Sequence, residues 1–163
     1  MQKLCLPDWL ILGLVMVLAT GLAGCGETAS SEGAAVTPAA SETGGLSAAQ
    51  FENGIGPIDQ VALSPLDAAL AEKGEEIFTT KCAACHKFDQ RYVGPPLGDV
   101  LARRTPAFIM NMMLNPAEMV EKHPEVKKLL AEFLTPMPNQ NLTEEDARAI
   151  LEYIRQATVE TNP

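Results

Sequence analysis

The stretch Cys82-Ala83-Ala84-Cys85-His86 has the spacing C-x-x-C-H, and it determines how the rest of the chain is interpreted. Two thiols separated by two residues can reach the two vinyl groups of one haem and form thioethers with them. The imidazole next to the second thiol can then bind the iron. The motif therefore predicts one covalent haem c, held by Cys82 and Cys85, with His86 as an iron ligand.

Other uses of paired cysteines fit the sequence less well. The chain has four cysteines, and two of them, Cys5 and Cys25, lie in an N-terminal segment with a different use. A zinc site needs four ligands, and the only further candidate, His123, does not have the spacing of a zinc finger. A thioredoxin-like pair would follow a strand, and no strand pattern precedes Cys82. Haem attachment is the preferred interpretation, with zinc and dithiol redox chemistry as alternatives.

The N-terminal segment is typical of an export signal. An apolar run from Trp9 to Ala19 leads into Leu22-Ala23-Gly24-Cys25, which resembles the lipobox of bacterial lipoproteins. The resemblance implies a signal peptide over residues 1–24 and an acylated Cys25. An uncleaved membrane helix is the alternative, although the run is short against the roughly 20 residues needed to span a bilayer. Both outcomes predict a domain held at a membrane on the periplasmic side of the bacterial cell envelope.

Two segments precede the main domain. Residues 25–50 are rich in Ala, Ser, Thr, Gly and Glu, with little to bury, and are predicted to form a flexible tether behind the lipidated Cys25. A coil of this length spans roughly 25–30 Å between its ends. Residues 51–66 contain several apolar side chains and the turn-forming Gly54-Ile55-Gly56-Pro57. They are predicted to be an ordered extension that lies on the domain.

Residues 67–163 are predicted to be all-α, with three to five helices around one haem. Ser64-Pro65 is a candidate start for the first helix, which leads into Cys82. The apolar stripe of the third helix is predicted to end at Leu134. The later helices are predicted to start at Thr105-Pro106, at Pro124 and at the capping-box-like Thr143-Glu144-Glu145-Asp146, and Asn115-Pro116 is predicted to end the second.

Residues 74–157 resemble a class I cytochrome c. Gly74 and Phe78 stand eight and four residues before Cys82, as in that family, and Tyr153 takes the place of the aromatic residue in its C-terminal helix. Gly94-Pro95-Pro96-Leu97 is similar to the family's Gly-Pro-x-Leu. The resemblance implies a cytochrome c fold in which the carbonyl of Pro95 accepts the Nδ1–H of the iron-binding histidine. It also implies that Arg103 lies near a haem propionate, although a solvated basic pair with Arg104 is the alternative.

The sixth iron ligand separates a carrier from a catalyst, because a thioether closes the iron to small ligands and raises its potential. Met110, Met112 and Met113 fall in one predicted helix, where core packing is the expected role. Met137 lies in Thr135-Pro136-Met137-Pro138, where similar family members present their axial methionine. We expect Met137 to bind the iron. The alternative ligand, His123, is expected at the solvated start of a helix.

The formal net charge of −9 argues against nucleic acid as a partner. The expected function is one-electron transfer by a monomeric, membrane-tethered monohaem cytochrome between a donor and an acceptor redox protein, without enzyme activity. The alternatives are a haem enzyme or gas sensor with an open sixth site, and an electron-entry subunit of a larger oxidoreductase. A locally basic haem edge or a scatter of surface charge would both fit the nearby cations, which are Lys81, Lys87, Arg91, Arg103 and Arg104.

Three segments also resemble small cytochromes encoded beside nitrous oxide reductase in some bacteria. They are Gly54–Pro57, Arg103–Pro116 and Met137–Asn141. This resemblance implies the nitrous oxide reductase system as a redox partner.

Overall fold

Seven helices, and no strand, occur in the part of the chain that the structure describes, residues 45–161. The structure is a computed structural model, and the described residues fall within one compact unit. The predicted signal peptide over 1–24, Cys25 and the predicted tether up to residue 44 lie outside them. The all-α class is confirmed. The helices are α1 (Ala48–Asn53), α2 (Ala68–Lys81), α3 (Val100–Arg103), α4 (Pro106–Leu114), α5 (Pro116–Lys122), α6 (Pro124–Phe133) and α7 (Glu144–Thr161).

Side-chain caps fix where most of the helices begin. The Oγ1 of Thr105 accepts the N–H of Phe108 at 3.1 Å, so the predicted start of α4 is confirmed. Thr143 and Asp146 exchange two such bonds at the start of α7, as the predicted capping box requires. The predicted start of the first helix at Ser64-Pro65 is wrong. The carboxylate of Asp67 accepts the N–H of Leu70 instead, and α2 begins at Ala68.

Two short helices raise the number above the expected three to five. Among the described residues of 67–163 there are six, because α3 has four residues and α5 has seven. Asn115-Pro116 ends α4 as predicted, but Pro116 also starts α5, since a proline is well suited to the first position of a helix. Leu134 does not join the apolar stripe of α6. It caps the helix in a left-handed conformation (φ 54°) and is 82% exposed.

The core forms where α2 and α7 cross. A Cβ on Gly74 would lie only 2.0 Å from the carbonyl oxygen of Ala149, so the crossing is too close for any side chain at that position. The rings of Phe78 and Tyr153 meet beside it, with centroids 5.3 Å apart. This crossing fixes the end of α2, where Cys82 is the C-terminal cap. The resemblance in these residues therefore corresponds to a packing requirement.

The ordered part of the N-terminal region begins earlier than predicted. Ser47 and Gln50 form a capping box, so α1 starts at Ala48, inside the segment assigned to the tether. Residues 48–50, which the sequence assigned to the tether, are therefore helical. The ordered extension is therefore residues 47–66.

The first half of the extension is held by four side chains spaced four residues apart on α4–α6: Asn111, Asn115, Met119 and His123. The amide of Asn111, which is 0% exposed, donates to the carbonyl of Asn53 at 2.9 Å. It also binds both the N–H and the C=O of Ile58, at 3.0 and 2.8 Å. Asn115 donates to the carbonyl of Ile55 at 3.2 Å. We call these four side chains the docking row.

The other two members of the docking row bind the extension in the same way. The N–H of Ile55 donates to the sulfur of Met119 at 3.0 Å, and the Nε2 of His123 bonds to the carbonyl of Phe51 at 2.9 Å. His123 does start α6, as expected, but it is fully buried, so its predicted solvation is wrong. The ring stacks on Phe51 and is covered edge-on by Phe108, which explains the burial.

The second half of the extension is held by α7. Arg148 donates to the carbonyl of Ala62 at 3.3 Å, and Arg155 donates to that of Ser64 at 2.9 Å. Both guanidinium groups also bind the carboxylate of Glu152, which is 1% exposed. A buried carboxylate is tolerated only when it is paired in this way. The two arginines therefore neutralise a buried carboxylate of α7 and also bind the backbone of the extension.

Candidate haem site

A largely apolar cavity lies among the helices of the domain. Its walls come from the end of α2, the loop around residues 93–97, α4, α6, α7 and the loop between α6 and α7. Cys82, Cys85, His86 and Met137 all line it. No residue of the extension 47–66 does so, and the extension therefore supports α4 from outside the cavity.

The attachment motif forms a tight turn at the end of α2. The N–H of Cys85 and that of His86 both donate to the carbonyl of Cys82, at 3.0 and 2.9 Å. The turn brings both thiols and the imidazole to the same cavity. Neither cysteine is in a disulfide, so both are available for thioethers. Burial raises the pKa of the Cys82 thiol to about 11, which keeps it protonated before attachment.

The imidazole of His86 is oriented by the Gly94–Leu97 loop. Its Nδ1 lies 3.0 Å from the carbonyl oxygen of Pro95, the contact that the resemblance implies. Nδ1 must donate there, which leaves Nε2 unprotonated and able to bind a metal. A Cβ on Gly94 would lie 2.5 Å from Cε1 of the ring. Only glycine lets this loop approach the imidazole so closely.

The methionines outside the predicted signal peptide divide into two groups. Met112, Met113 and Met137 line the cavity, whereas Met110 and Met119 do not. Met119 is engaged by the extension, as described above. Met112 was expected to pack in the core. It is half-buried and also faces the cavity. Met137 differs from the other two cavity methionines because it lies on a loop.

His123 is excluded as an axial ligand by its environment. It lies outside the cavity lining, and both of its ring nitrogens are hydrogen-bonded. The Nδ1 accepts the N–H of Glu125 at 3.3 Å while Nε2 bonds to Phe51. Burial lowers the pKa of His123, so the ring is neutral in the folded protein.

The charges on the cavity wall are all positive. Lys81, Arg103 and Arg104 line it, and no carboxylate does so among the described residues. Cations without acidic neighbours on the wall suit the two propionates of a haem. Arg103 also donates to the carbonyl of Pro96 at 3.2 Å and to the carboxylate of Asp99 at 2.7 Å. The hydrogen bond from Arg103 lowers the pKa of Asp99.

The basic haem edge is less basic than the sequence suggests. Arg91, Arg103 and Arg104 each pair with a carboxylate, from Glu132, Asp99 and Glu125 respectively. The two lysines bind backbone carbonyls instead, Lys81 that of Gln140 and Lys87 that of Ala83. The structure thus gives these cations structural contacts that the sequence did not reveal. Their only signal in the sequence was proximity to the motif.

The donor set fits a covalently bound haem. Two free thiols, an imidazole with an available nitrogen, a loop thioether and three cations surround one apolar cavity. Such a set provides for attachment, axial ligation and charge compensation, and it offers none of the closed tetrahedral geometry of a zinc site. Among the side chains described, residues 45–159, no group of three or more His, Cys, Asp or Glu could hold a metal ion.

Comparison with known proteins gives the same result. The family model described as cytochrome c matches residues 71–158, more than half of the chain. The chain is 32% identical over 90 residues to cytochrome c-551 of Stutzerimonas stutzeri, covering 55% of this chain and 81% of that protein. It is 32% identical over 82 residues to cytochrome c-551 of Ectopseudomonas mendocina, covering 50% of this chain and 93% of that one.

A solved structure adds the fold. A cytochrome c from Rhodothermus marinus is 50% identical, superposes with a TM-score of 0.66, and the match covers 68% of this chain and 97% of that chain. The chain belongs to the cytochrome c family. Membership implies one covalently bound haem c and electron exchange with redox partner proteins. The expected fold and cofactor are thereby confirmed.

Proposed function

We propose that this protein is a membrane-tethered monohaem electron carrier, in which Cys82 and Cys85 hold the haem and His86 and Met137 bind its iron. Bound haem supplies a one-electron couple whose potential depends on its ligands and burial. The observation that carries the proposal is the position of a half-buried loop methionine in the same cavity as the oriented imidazole. The chain's own part is to hold both ligands and to exclude water.

The chemistry of the cavity wall favours a carrier over a haem enzyme. A haem enzyme needs an open iron site and a group that can move protons near it. No carboxylate lines the cavity within residues 45–161, and its one histidine, His86, is directed by Pro95. An electron-entry subunit of a larger oxidoreductase remains the second candidate, because a carrier domain can serve in either setting.

Pro95 and Arg103 are proposed as supporting residues. Pro95 would fix the tautomer and rotation of His86 through its carbonyl. The recorded bonds of Arg103 involve Nη2, so its other guanidinium nitrogens remain for a haem propionate. Both roles follow from positions on the cavity wall.

The membrane tether is proposed from the sequence. The lipobox-like Leu22-Ala23-Gly24-Cys25 supports acylation of Cys25 and a location on the periplasmic face of a bacterial membrane. Within residues 45–161, no helix is both long enough and apolar enough to cross a bilayer. The Cys25→Ala variant should lose incorporation of labelled fatty acid. A membrane-bound Cys25→Ala protein would instead favour an uncleaved anchor.

The nitrous oxide reductase system stays a prediction for the redox partner. Two of the three segments that suggest it, Gly54–Pro57 and Arg103–Pro116, contain the two sides of one interface, where Asn115 donates to the carbonyl of Ile55 and Asn111 lies against Gly56. A Cβ on Gly56 would lie 2.3 Å from the Oδ1 of Asn111. Packing between these two segments can therefore account for this part of the resemblance without a shared redox partner. The direct test of the partner is an electron transfer assay with nitrous oxide reductase.

The test of the carrier function is the Met137→Ala variant of the holoprotein. It should lose the weak far-red absorption of a thioether bound to ferric iron, have a lower potential, and bind carbon monoxide when reduced. The Met110→Ala variant is the control, because Met110 is buried outside the cavity and should change stability alone. Loss of the far-red band in a Met112 or Met113 variant instead would move the ligand to α4.

A further inference from the structure

Two cations on the attachment side of the cavity bind its opposite side, Lys81 at the loop that carries Met137 and Arg91 at the end of α6 from which that loop departs. We call residues 134–143, between α6 and α7, the methionine loop. Lys81, which directly precedes Cys82, donates from Nζ to the carbonyl of Gln140 at 3.1 Å. Arg91 donates from Nη2 to the carbonyl of Glu132 at 2.9 Å and also pairs with its carboxylate. These bonds link parts of the chain that are 59 and 41 residues apart.

The two bonds lie on either side of Met137, one at the end of α6 before the methionine loop and one within the loop after the methionine. Glu132 is five residues before the methionine and Gln140 is three residues after it. The guanidinium of Arg91 also lies 4.0 Å from the ring centroid of Phe133, the last residue of α6. Phe133 and Gln140 both line the cavity. The contacts therefore cross from the attachment side of the cavity to the ligand side.

Apart from the bond of Lys81, the hydrogen bonds of the methionine loop are local. Pro136 and Pro138 lack the N–H that would bind a neighbour. The recorded hydrogen bonds inside the loop join near neighbours, from Gln140 to Pro138 and from Asn141 to Asn139. Such local bonds give the loop internal shape, but they do not fix its distance from the opposite wall. Packing of Met137 and Leu142 against the core contributes to that distance, and the cross-cavity bond of Lys81 adds a directional contact.

We propose that Lys81, which binds the methionine loop, and Arg91, which binds the end of α6 directly before it, are positioning residues that hold the loop from both sides, as a clamp, and so keep the Met137 sulfur at the sixth position of the iron. The proposal rests on the proposed axial role of Met137. Exposed ion pairs contribute little to global stability, typically below about 1 kcal/mol. Opening of one loop is a much smaller event than unfolding, and its population can change several-fold with such contacts. The clamp should therefore affect ligand exchange more than folding.

The experiment uses the ferric holoprotein and imidazole as the competing ligand. Lys81→Gln and Arg91→Gln should each bind imidazole about fivefold more tightly than the wild type, and the double variant should exceed either single variant. Amide hydrogen exchange at residues 139–141 should accelerate in the same order. Midpoints of thermal unfolding should stay close to that of the wild type, which separates loop opening from a loss of folding.

The matched control is Lys87→Gln. Lys87 is a cation of the same segment, but its Nζ binds the carbonyl of Ala83 at 2.9 Å on its own side of the cavity. Imidazole binding by this variant should match that of the wild type, and an equal increase there would overturn the clamp in favour of a general charge effect. An unchanged double variant, with Met137→Ala still opening the iron, would also refute the clamp and leave the carrier function standing. If Met137→Ala itself changes nothing, the ligand assignment fails first.

Discussion

Helix α4 has two faces that are held in different ways. Ile109 and Met113 are buried towards the haem cavity, where contacts are apolar and have no preferred direction. Asn111, between them in the sequence, is equally buried but makes three hydrogen bonds to the backbone of the extension. The stability of the cavity face depends on how well side-chain volume fills the space. The stability of the docking face depends on the register between α4 and the extension, because a hydrogen bond is lost when its partner shifts by one residue. Substitutions on the two faces should therefore fail differently.

The largest expected effect comes from Asn111→Ala. The substitution leaves the carbonyl of Asn53 and both backbone groups of Ile58 without their buried partner, which should cost about 3 kcal/mol or more. The haem spectrum should not change, since Asn111 does not line the cavity. Chemical denaturation of the holoprotein measures the stability. Met113→Leu, which roughly conserves volume on the other face, is the control and should cost less than about 1.5 kcal/mol.

A pair of glycine substitutions sharpens the comparison. Gly56→Ala places a methyl 2.3 Å from the Oδ1 of Asn111, and Gly94→Ala places one 2.5 Å from the ring of His86. Each should destabilise the protein by about 1–3 kcal/mol, because the neighbours must move. Only Gly94→Ala should also alter the absorption spectrum and the potential. A spectral change in Gly56→Ala of equal size would mean that the two faces of α4 are not independent.

The smallest expected effect is a pH dependence of the docking face. Burial holds the pKa of His123 below its ordinary value. The positive charge of Arg104 also lowers this pKa, and the negative charge of Glu125 raises it. The unfolded chain therefore binds more protons than the folded one as the pH falls below about 6.5, and stability decreases in that range. The slope from one proton is at most about 1.4 kcal/mol per pH unit.

A substitution at His123 isolates the contribution of this one side chain. The chain has two histidines, and the second, His86, is the proposed iron ligand. Stability between pH 7 and pH 5 should depend on pH less in His123→Asn, since Asn also caps a helix and does not titrate. The carboxylates of Asp99 and Asp146 have lowered pKa values and affect stability only at lower pH. An identical pH profile in the variant would refute the role of His123.

The cavity could be predicted from the sequence more completely than the docking row. C-x-x-C-H and Gly-Pro-x-Leu are local motifs, and a local motif is visible without knowledge of the fold. The partners of Asn111 and His123 are backbone groups more than 50 residues away, and backbone groups leave no mark in the sequence. The spacing of four residues from 111 to 123 was present, but Pro116 interrupts the helix and hides it. The contacts of Lys81 and Arg91 were missed for the same reason.

The position of the extension also sets an order of events in folding. It precedes the rest of the domain in the chain, yet the groups that bind it belong to α4–α7. Its bonds span 53 and 58 residues at Asn111 and 91 residues at Arg155. Closing loops of this length costs entropy that only later contacts repay. The first half of the extension should therefore dock only after α4–α6 have formed, whereas the turn of the attachment motif needs only contacts within residues 78–86.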